Sequence, residues 1–275
     1  MTDTLLWKRY EQCPLCGERG GGGSWPTLEA DCSKHPLWKP QLPRTLVWAQ
    51  CQKCQHVFTT HYWTESGLRV IFQSAHDFQL AGGDNDMKRQ IWRPVIRNCI
   101  SILSRVFVAN TPTAKKWVDF GFGDGSLLMT AHDFGFDVLG IDARDIAVEK
   151  MRQFGFNCIP GMLDENGISH ITGASVVSLM DVLEHVIDPP RVLKMIREKI
   201  SANTLLVISC PDLSASTWKI MDQQKVNPYW GEIEHHHNFS RNRLMQLLNT
   251  CGFHVVDFDV PYRYKSQMEM YAHAQ

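Results

Sequence analysis

What this 275-residue sequence lacks narrows its class before any motif is read. It has no excess charge of either sign: 28 Lys and Arg stand against 29 Asp and Glu, a formal net of -1. Such a balance gives no field that would draw in nucleic acid, although a local patch is compatible with it. No apolar run approaches the ~20 residues needed to span a bilayer, so no membrane segment is expected. The stretch Met1 to Tyr10 is mixed and no apolar region follows it, so no secretory leader is expected. The expected compartment is therefore the cytosol, where thiols stay reduced. Internal repeats and long linkers are also missing.

Hydrophobic residues at 44% and charged residues at 21% are ordinary for a globular protein, and the length is enough to bury a sizeable core. Nine cysteines are present. Four fall in two tight pairs, Cys13-Pro14-Leu15-Cys16 and Cys51-Gln52-Lys53-Cys54, with 34 residues between them. The other five (Cys32, Cys99, Cys158, Cys210, Cys251) are scattered in apolar stretches, where cysteine is usually a small core residue.

Three regions are predicted. Residues 1–64 are rich in Cys, Gly, Pro and Trp, with a glycine run from Gly20 to Gly23, and read as a small module. Residues 65–112 read as a connecting segment whose helix, Met87 to Val108, places Ile91, Val95, Cys99, Ile102 and Val106 at three- and four-residue steps. Pro94 would kink that helix or move its start. Residues 113–275 alternate short apolar strands with helices. The expected strands are Lys116–Phe120, Phe136–Ile141, Asn157–Pro160, Ser175–Met180 and Leu205–Cys210. Helices are expected near Ser126–Phe134, Ile146–Phe154 and Pro190–Ile200. A helix Arg241–Cys251 stopped by Gly252, a strand Phe253–Asp259 and a strand Gln267–His273 complete the series. The alternation implies an α/β, Rossmann-like and mostly parallel sheet with helices on both faces.

The first chemical constellation is Trp117-Val118-Asp119-Phe120 running into Gly121-Phe122-Gly123-Asp124-Gly125, with a helix from Ser126. A glycine turn between strand and helix lets the backbone approach a ligand and points helix N–H groups at it. Asp142 ends the next strand, where an acid can accept hydrogen bonds from both hydroxyls of a ribose. The plainer alternative is a tight turn with Asp142 capping the helix near Arg144. The strand before, the helix after and the acid's position favour a nucleoside-containing cofactor. A dinucleotide site usually spaces its glycines Gly-x-Gly-x-x-Gly, whereas this turn reads Gly-x-Gly-x-Gly.

That turn resembles the first motif of class I methyltransferases. The segment Ser178-Leu179-Met180-Asp181-Val182-Leu183-Glu184-His185-Val186-Ile187-Asp188-Pro189 resembles the fourth-strand motif of their ubiquinone-type and sugar-type branches. The resemblance runs from about Trp117 to the C-terminus. It implies seven strands with the last antiparallel, and S-adenosylmethionine as cofactor. It places the amino-acid end of the cofactor at Gly121 and Gly123, in the turn that Asp119, Phe122 and Gly125 complete. The ribose goes to Asp142 and the adenine near Ala143, Met162 and Leu163, with Met180 and Asp181 also on the cofactor side. Asp164 is the candidate for the acid of the adenine region.

The two cysteine pairs supply four thiolates, a set that suits tetrahedral zinc with no open position, hence a structural ion. Cys51 to Phe58 resembles the second half of the zinc ribbon that precedes some sugar-modifying methyltransferases, with Gln55-His56 where that family carries glycine. Cys32, His35 or His56 are alternative ligands.

Methyl transfer from a sulfonium is an in-line displacement and usually needs a base when the nucleophile is a hydroxyl. Asp181, Glu184 and His185 match, position by position, an acid-acid-His set that binds a divalent metal in ubiquinone-type O-methyltransferases. That makes them a candidate site for a second ion, Mg²⁺ or Zn²⁺. In the simpler reading, which is favoured, Glu184 caps or pairs and His185 packs near the cofactor. The stretch Glu232 to Ser240 resembles the active-site edge of sugar methyltransferases. It implies His235 as base with Glu234 orienting it and His237 as runner-up, while His236 is expected to be exposed and Ser240 to cap a helix. Tyr229, Trp230 and Tyr262 are candidate acceptor-pocket residues. The function expected is methylation of a small polar metabolite or a nucleotide-linked sugar at oxygen or carbon, with no nucleic-acid partner. The alternatives are a methyltransferase of tRNA or another macromolecule, a catalytically silent cofactor-binding protein, and an NAD-dependent oxidoreductase, which the glycine spacing opposes.

Overall fold

In the computed structural model the described residues are 5–19, 25–72, 85–107, 115–261, 263 and 266–275. The N-terminal part holds strands β1 (Trp7–Arg9), β2 (Thr27–Asp31), β3 (Thr45–Gln50), β4 (Val57–Thr59) and β5 (His61–Trp63). Helices α1 (Glu65–Phe72) and α2 (Asn85–Val106) follow. The alternating part comprises β6 (Lys116–Phe120), α3 (Ser126–Asp133), β7 (Asp137–Asp142), α4 (Asp145–Gln153), β8 (Cys158–Pro160) and α5 (Glu165–Ser169). It continues through β9 (Val176–Met180), α6 (Pro189–Lys199), β10 (Leu205–Pro211), α7 (Ser216–Gln223), β11 (His237–Asn238), α8 (Arg241–Thr250), β12 (Phe253–Asp259) and β13 (Gln267–Ala274). No helix among the described residues is long and apolar enough to cross a membrane.

Seven strands form one sheet in the order β12-β13-β10-β9-β6-β7-β8. The pairs β10·β9, β9·β6, β6·β7 and β7·β8 are parallel, whereas β13 runs antiparallel to both β10 and β12. The expected α/β sheet with an antiparallel last strand is therefore present. Its strands are apolar on both sides because helices cover both faces. Side chains alternate with period two. Val118, Phe120, Val177, Leu179, Leu206 and Ile208 pack on one face with Leu193 and Ile196 of α6 and Leu244 and Leu248 of α8. Trp117, Val176, Leu205 and Val207 pack on the other with Ile96, Cys99 and Ile102 of α2 and Leu128 of α3. Each such fully buried side chain contributes roughly 1.5–3 kcal/mol.

Local chemistry sets the ends of the elements around the site. Asp188 caps α6 by accepting from the Arg191 N–H at 3.1 Å, and Pro189 and Pro190 occupy the first turn, where a missing N–H costs nothing. Ser240 caps α8 by accepting from the Arg243 N–H at 3.3 Å, as expected, and Gly252 ends that helix at φ +85°. Pro94 lies inside α2, which begins at Asn85.

N-terminal strands share a sheet with a later part of the chain. Strands β2, β3 and β4 make an antiparallel sheet that β11, from far down the chain, completes as a fourth strand. His237 pairs with Phe58, and Asn238 with Val57. The module predicted as residues 1–64 is thus stitched to the segment carrying the candidate histidines. Two buried backbone strands facing each other leave amides that must be paired, and here each satisfies the other.

Candidate functional site

The C-terminal ends of β6 and β7 build the first half of the site. Gly121, Gly123 and Gly125 all adopt positive φ (64°, 62° and 78°), the region where a Cβ is strongly disfavoured. At Gly121 a Cβ would strike Val182, and at Gly125 it would strike the Met151 sulfur, so close packing forbids side chains there as well. At Gly123 nothing lies within 4 Å of such an atom, so this glycine faces open space. The Gly121 N–H donates to the Ile141 carbonyl at 2.7 Å and the Gly123 N–H to the Asp142 carboxylate at 3.3 Å, which ties the turn to the end of β7. Asp124 accepts from the Ser126 N–H (3.0 Å) and hydroxyl (2.6 Å) and pairs with Lys88 at 2.5 Å. The Trp92 indole donates to the Ser126 hydroxyl at 2.8 Å, so α2 is pinned over the turn.

Several expected cofactor residues face elsewhere. Asp119 is buried under the turn and accepts from the Ser178 hydroxyl at 2.5 Å, while Ser178 accepts from the Trp117 indole at 2.8 Å. Desolvation raises the Asp119 carboxyl to about 7, with the Ser178 bond opposing and the Asp142 charge adding to the shift. Its role is to brace the strand ends. The Phe122 ring is buried in the core, so only its backbone belongs to the turn. Asp164 caps α5 by accepting from the Gly167 N–H at 2.9 Å. Ala143 and Met162 are exposed and Leu163 is half-buried. Met180 lies in the core at the end of β9, and Asp181 follows at φ +59°.

The second half is assembled from a 3-10 turn, Leu183–His185, and the segment before β11. Glu184, His185 and His235 each present one ligand atom within 4.8 Å of the others. The His185 and His235 rings meet edge to face at 4.8 Å. Four expectations are corrected here. Asp181 does not join Glu184 and His185 in a cluster of ligand atoms, and its Oδ1 accepts from the Ser209 hydroxyl at 2.7 Å and from the Gln267 amide. Glu234 does not orient His235. Its carboxylate turns to His35 at 3.5 Å, and only its backbone carbonyl reaches the histidines, meeting His185 Nδ1 at 3.0 Å. His237 is not placed as a base, since Nδ1 meets His56 Nε2 at 3.0 Å and Nε2 meets the Val186 carbonyl at 2.7 Å. With both nitrogens engaged, it is a strut. His236 is buried rather than exposed, its N–H donating to the Glu184 carbonyl at 2.8 Å. Tyr229 stacks on Trp218, and Trp230 donates to Asp222, so both rings are already engaged. Tyr262 lies outside the described residues.

Residues of the N-terminal part hold this half in place. The indoles of Trp48 and Trp63 donate to the carbonyls of Trp230 (2.8 Å) and Ile233 (2.7 Å), and the Tyr10 hydroxyl donates to the Ile187 carbonyl at 2.9 Å. His35 Nε2 lies 2.8 Å from Glu232, and its Nδ1 accepts from the Leu37 N–H. No local signal in the sequence links His35 to Glu232, 197 residues away.

Cys13, Cys16, Cys51 and Cys54 converge with all sulfurs within 4.8 Å. Cys13–Cys54 and Cys16–Cys51 are both 3.6 Å apart. A tetrahedral ion with Zn–S bonds of ~2.3 Å sets sulfurs ~3.8 Å apart, so the four thiols fit zinc. Each pair is followed by a left-handed residue, Gly17 (φ +69°) and Gln55 (φ +60°), whose N–H bonds back to the first cysteine of its pair. Gln55 takes the conformation without being glycine and donates its amide to the Gln52 carbonyl at 2.7 Å. Cys32 instead bonds the Pro43 carbonyl and His56 meets His237, so neither joins the thiols.

A family model described as a methyltransferase domain matches residues 91–257. A search of curated proteins gives no match. Among solved structures, the chain is similar to magnesium protoporphyrin IX methyltransferase (ChlM) from Synechocystis with bound SAH. Identity is 14%, coverage 66% of this chain and 83% of that one, and the TM-score 0.49. It is similar to an S-adenosylmethionine-dependent methyltransferase from Clostridium acetobutylicum at 10% identity, 63% and 89% coverage and a TM-score of 0.45. It is also similar to the mitomycin 7-O-methyltransferase MmcR at 19% identity, 76% and 63% coverage and a TM-score of 0.47. At such scores these likenesses carry no argument about substrate.

Proposed function

This chain belongs to the methyltransferase-domain family, and on that footing we propose that it methylates a small polar metabolite or nucleotide-linked sugar, at oxygen or carbon, from S-adenosylmethionine. The observation that carries the cofactor reading is the left-handed glycine turn, open at Gly123 and hydrogen-bonded to Asp142. In this reading the amino-acid end of the cofactor lies along Gly121–Gly123 and its ribose on Asp142. Ala143, Met162 and Leu163 border the adenine.

The acceptor docks over Glu184, His185 and His235. The methyl carbon forms its new bond as the C–S bond breaks, and that electron pair stays on sulfur to leave neutral S-adenosylhomocysteine. The proton of an acceptor hydroxyl departs within the Glu184–His185–His235 cluster, in which the His235 imidazole, the base expected from the sequence, is buried and held neutral by desolvation. Zinc at Cys13, Cys16, Cys51 and Cys54 has a structural role. It fixes the N-terminal strands and the adjoining Tyr10, whose side chains hold the backbone of Trp230, Ile233 and Ile187.

Incubation with isotopically labelled S-adenosylmethionine and a panel of nucleotide sugars and small metabolites tests the acceptor class. A product heavier by one labelled methyl group supports it. Label appearing only on RNA or protein, with no small acceptor modified, refutes it.

A further inference from the structure

We infer that Glu184, His185 and His235 together bind one divalent first-row metal ion, separate from the four-cysteine zinc, at the place where the acceptor docks. What the ion would do there rests on the methyl-transfer reading above; its binding does not.

Three observations converge. The first is donor chemistry. Two imidazoles and one carboxylate, with one ligand atom each inside 4.8 Å, form a two-His-one-carboxylate set that leaves open coordination positions. The second is tautomer control. The Glu234 carbonyl lies 3.0 Å from His185 Nδ1, and a carbonyl can only accept, so Nδ1 carries the hydrogen and the Nε2 lone pair is left for a ligand. Metal-binding histidines are oriented in this way by a carbonyl or carboxylate behind them. The third is unmet polarity. Glu184 Oε2 and His235 Nδ1 are both buried with no hydrogen-bond partner among the described residues. A buried polar atom without a partner is costly, and a buried carboxylate without a counter-charge more so. Apart from burial itself, the charges that bear on Glu184 are those of Asp181, Glu234 and Glu232, all acids. A cation among them answers that imbalance.

The ligand-bearing segments are also fixed to one another before any ion arrives. The His236 N–H donates to the Glu184 carbonyl at 2.8 Å, which ties the turn bearing Glu184 and His185 to the segment bearing His235. The neighbouring trio His35, Glu232 and Glu234 is less suited, because His35 is satisfied at both nitrogens. Asp181 is not among the clustered ligand atoms, and its Oδ1 is held by Ser209 and Gln267. The set that sequence resemblance points to, Asp181 with Glu184 and His185, is thus replaced by one that draws its third ligand from the histidine run. The open positions suit an acceptor that offers oxygen, whose hydroxyl proton a nearby divalent ion makes easier to remove.

The test uses the full chain with its zinc left in place. Manganese(II) is titrated in and its free signal followed by electron paramagnetic resonance, because thiolates compete poorly for this hard ion. Cobalt(II) is followed in parallel by its visible bands. The expected result is one ion per chain in the wild type, with affinity weakened at least ten-fold in Glu184→Gln and in His235→Gln. Circular dichroism and S-adenosylmethionine titration of the same samples establish that the variants are folded. No uptake of either ion by the wild type overturns the proposal, as does uptake that both folded variants retain. Ion uptake without S-adenosylmethionine binding would leave the metal site standing and remove the methyl-donor reading instead.

Discussion

The side chain and backbone of Arg144 fill the carboxylate of Asp142. Its N–H and Nε donate to Oδ1 at 3.0 and 2.9 Å, and its Nη2 donates to Oδ2 at 2.9 Å, while the Gly123 N–H takes the remaining place on Oδ2 at 3.3 Å. A carboxylate offers about four acceptor positions, and these four bonds use them. The same Nη2 also donates to the Gly123 carbonyl at 3.0 Å, so the guanidinium lies across the cleft between turn and acid. The acid proposed to hold the ribose is thus already satisfied by Arg144 and the Gly123 N–H.

Ribose binding at Asp142 therefore requires the Arg144 side chain to swing out. Arg144→Ala should tighten S-adenosylmethionine binding several-fold by removing that competition, and Asp142→Ala should weaken it by ~10-fold or more, the loss of one to two charge-assisted hydrogen bonds. Calorimetric titration of the two variants checks this. Weaker binding in Arg144→Ala would make the arginine a cofactor ligand instead of a competitor.

Replacing Cys13 and Cys51 with serine should release one equivalent of zinc per chain, measured by elemental analysis. Because β4 pairs with β11 and Tyr10 bonds the Ile187 carbonyl, the damage should fall on the acceptor side. Turnover should be lost while S-adenosylmethionine affinity changes by less than about an order of magnitude, since the glycine turn and Asp142 sit on β6 and β7.

Asp119 gives a pH dependence of definite sign. Its folded carboxyl is raised from 3.8 to about 7, so between those values the folded state holds a proton that the unfolded state has released. The stability it provides is full below about pH 4 and is lost as pH rises through 7, roughly 4 kcal/mol in all. Asp119→Asn keeps an acceptor for Ser178 without the charge. Its melting temperature should gain on the wild type from pH 5 to about pH 7 and level off above that, and a gap that stays constant with pH would contradict the assignment.

The histidine run separates into roles that mutation can distinguish. His235→Ala should leave cofactor binding intact and slow turnover by about 10²–10⁴-fold. His237→Ala should act on stability, because it breaks the bonds to His56 and the Val186 carbonyl in a buried site. A loss of about 2–4 kcal/mol in denaturant unfolding is expected. A fully stable but inactive His237→Ala would reverse the two roles.

The sheet was legible because burial on both faces writes itself as apolar runs: the expected Lys116–Phe120 and Phe253–Asp259 are the observed β6 and β12, and the other strands differ by a residue or two at their ends. Helices α5 and α7 were not, since five residues in one and two buried positions, Trp218 and Met221, in the other give little periodicity. Strand β11 has two residues, and its partner Phe58 lies about 180 positions earlier, so no local pattern could announce it. At the candidate site the glycines and cysteines were legible because their constraint is local: a positive φ, or two thiols three apart. The facing of Glu234, His236 and His237 was not. It depends on module residues, His35, His56 and Thr59, that the sequence places far away. Arg144 was legible as a neighbour of Asp142, but its hold on all but one of the acceptor positions is a matter of side-chain geometry.

The central claim is the identity of the cofactor, and calorimetry of the full chain against S-adenosylmethionine and against NAD tests it most directly. The glycine turn with Asp142 predicts one S-adenosylmethionine bound per chain and no heat from NAD. Binding of NAD without binding of S-adenosylmethionine would contradict it.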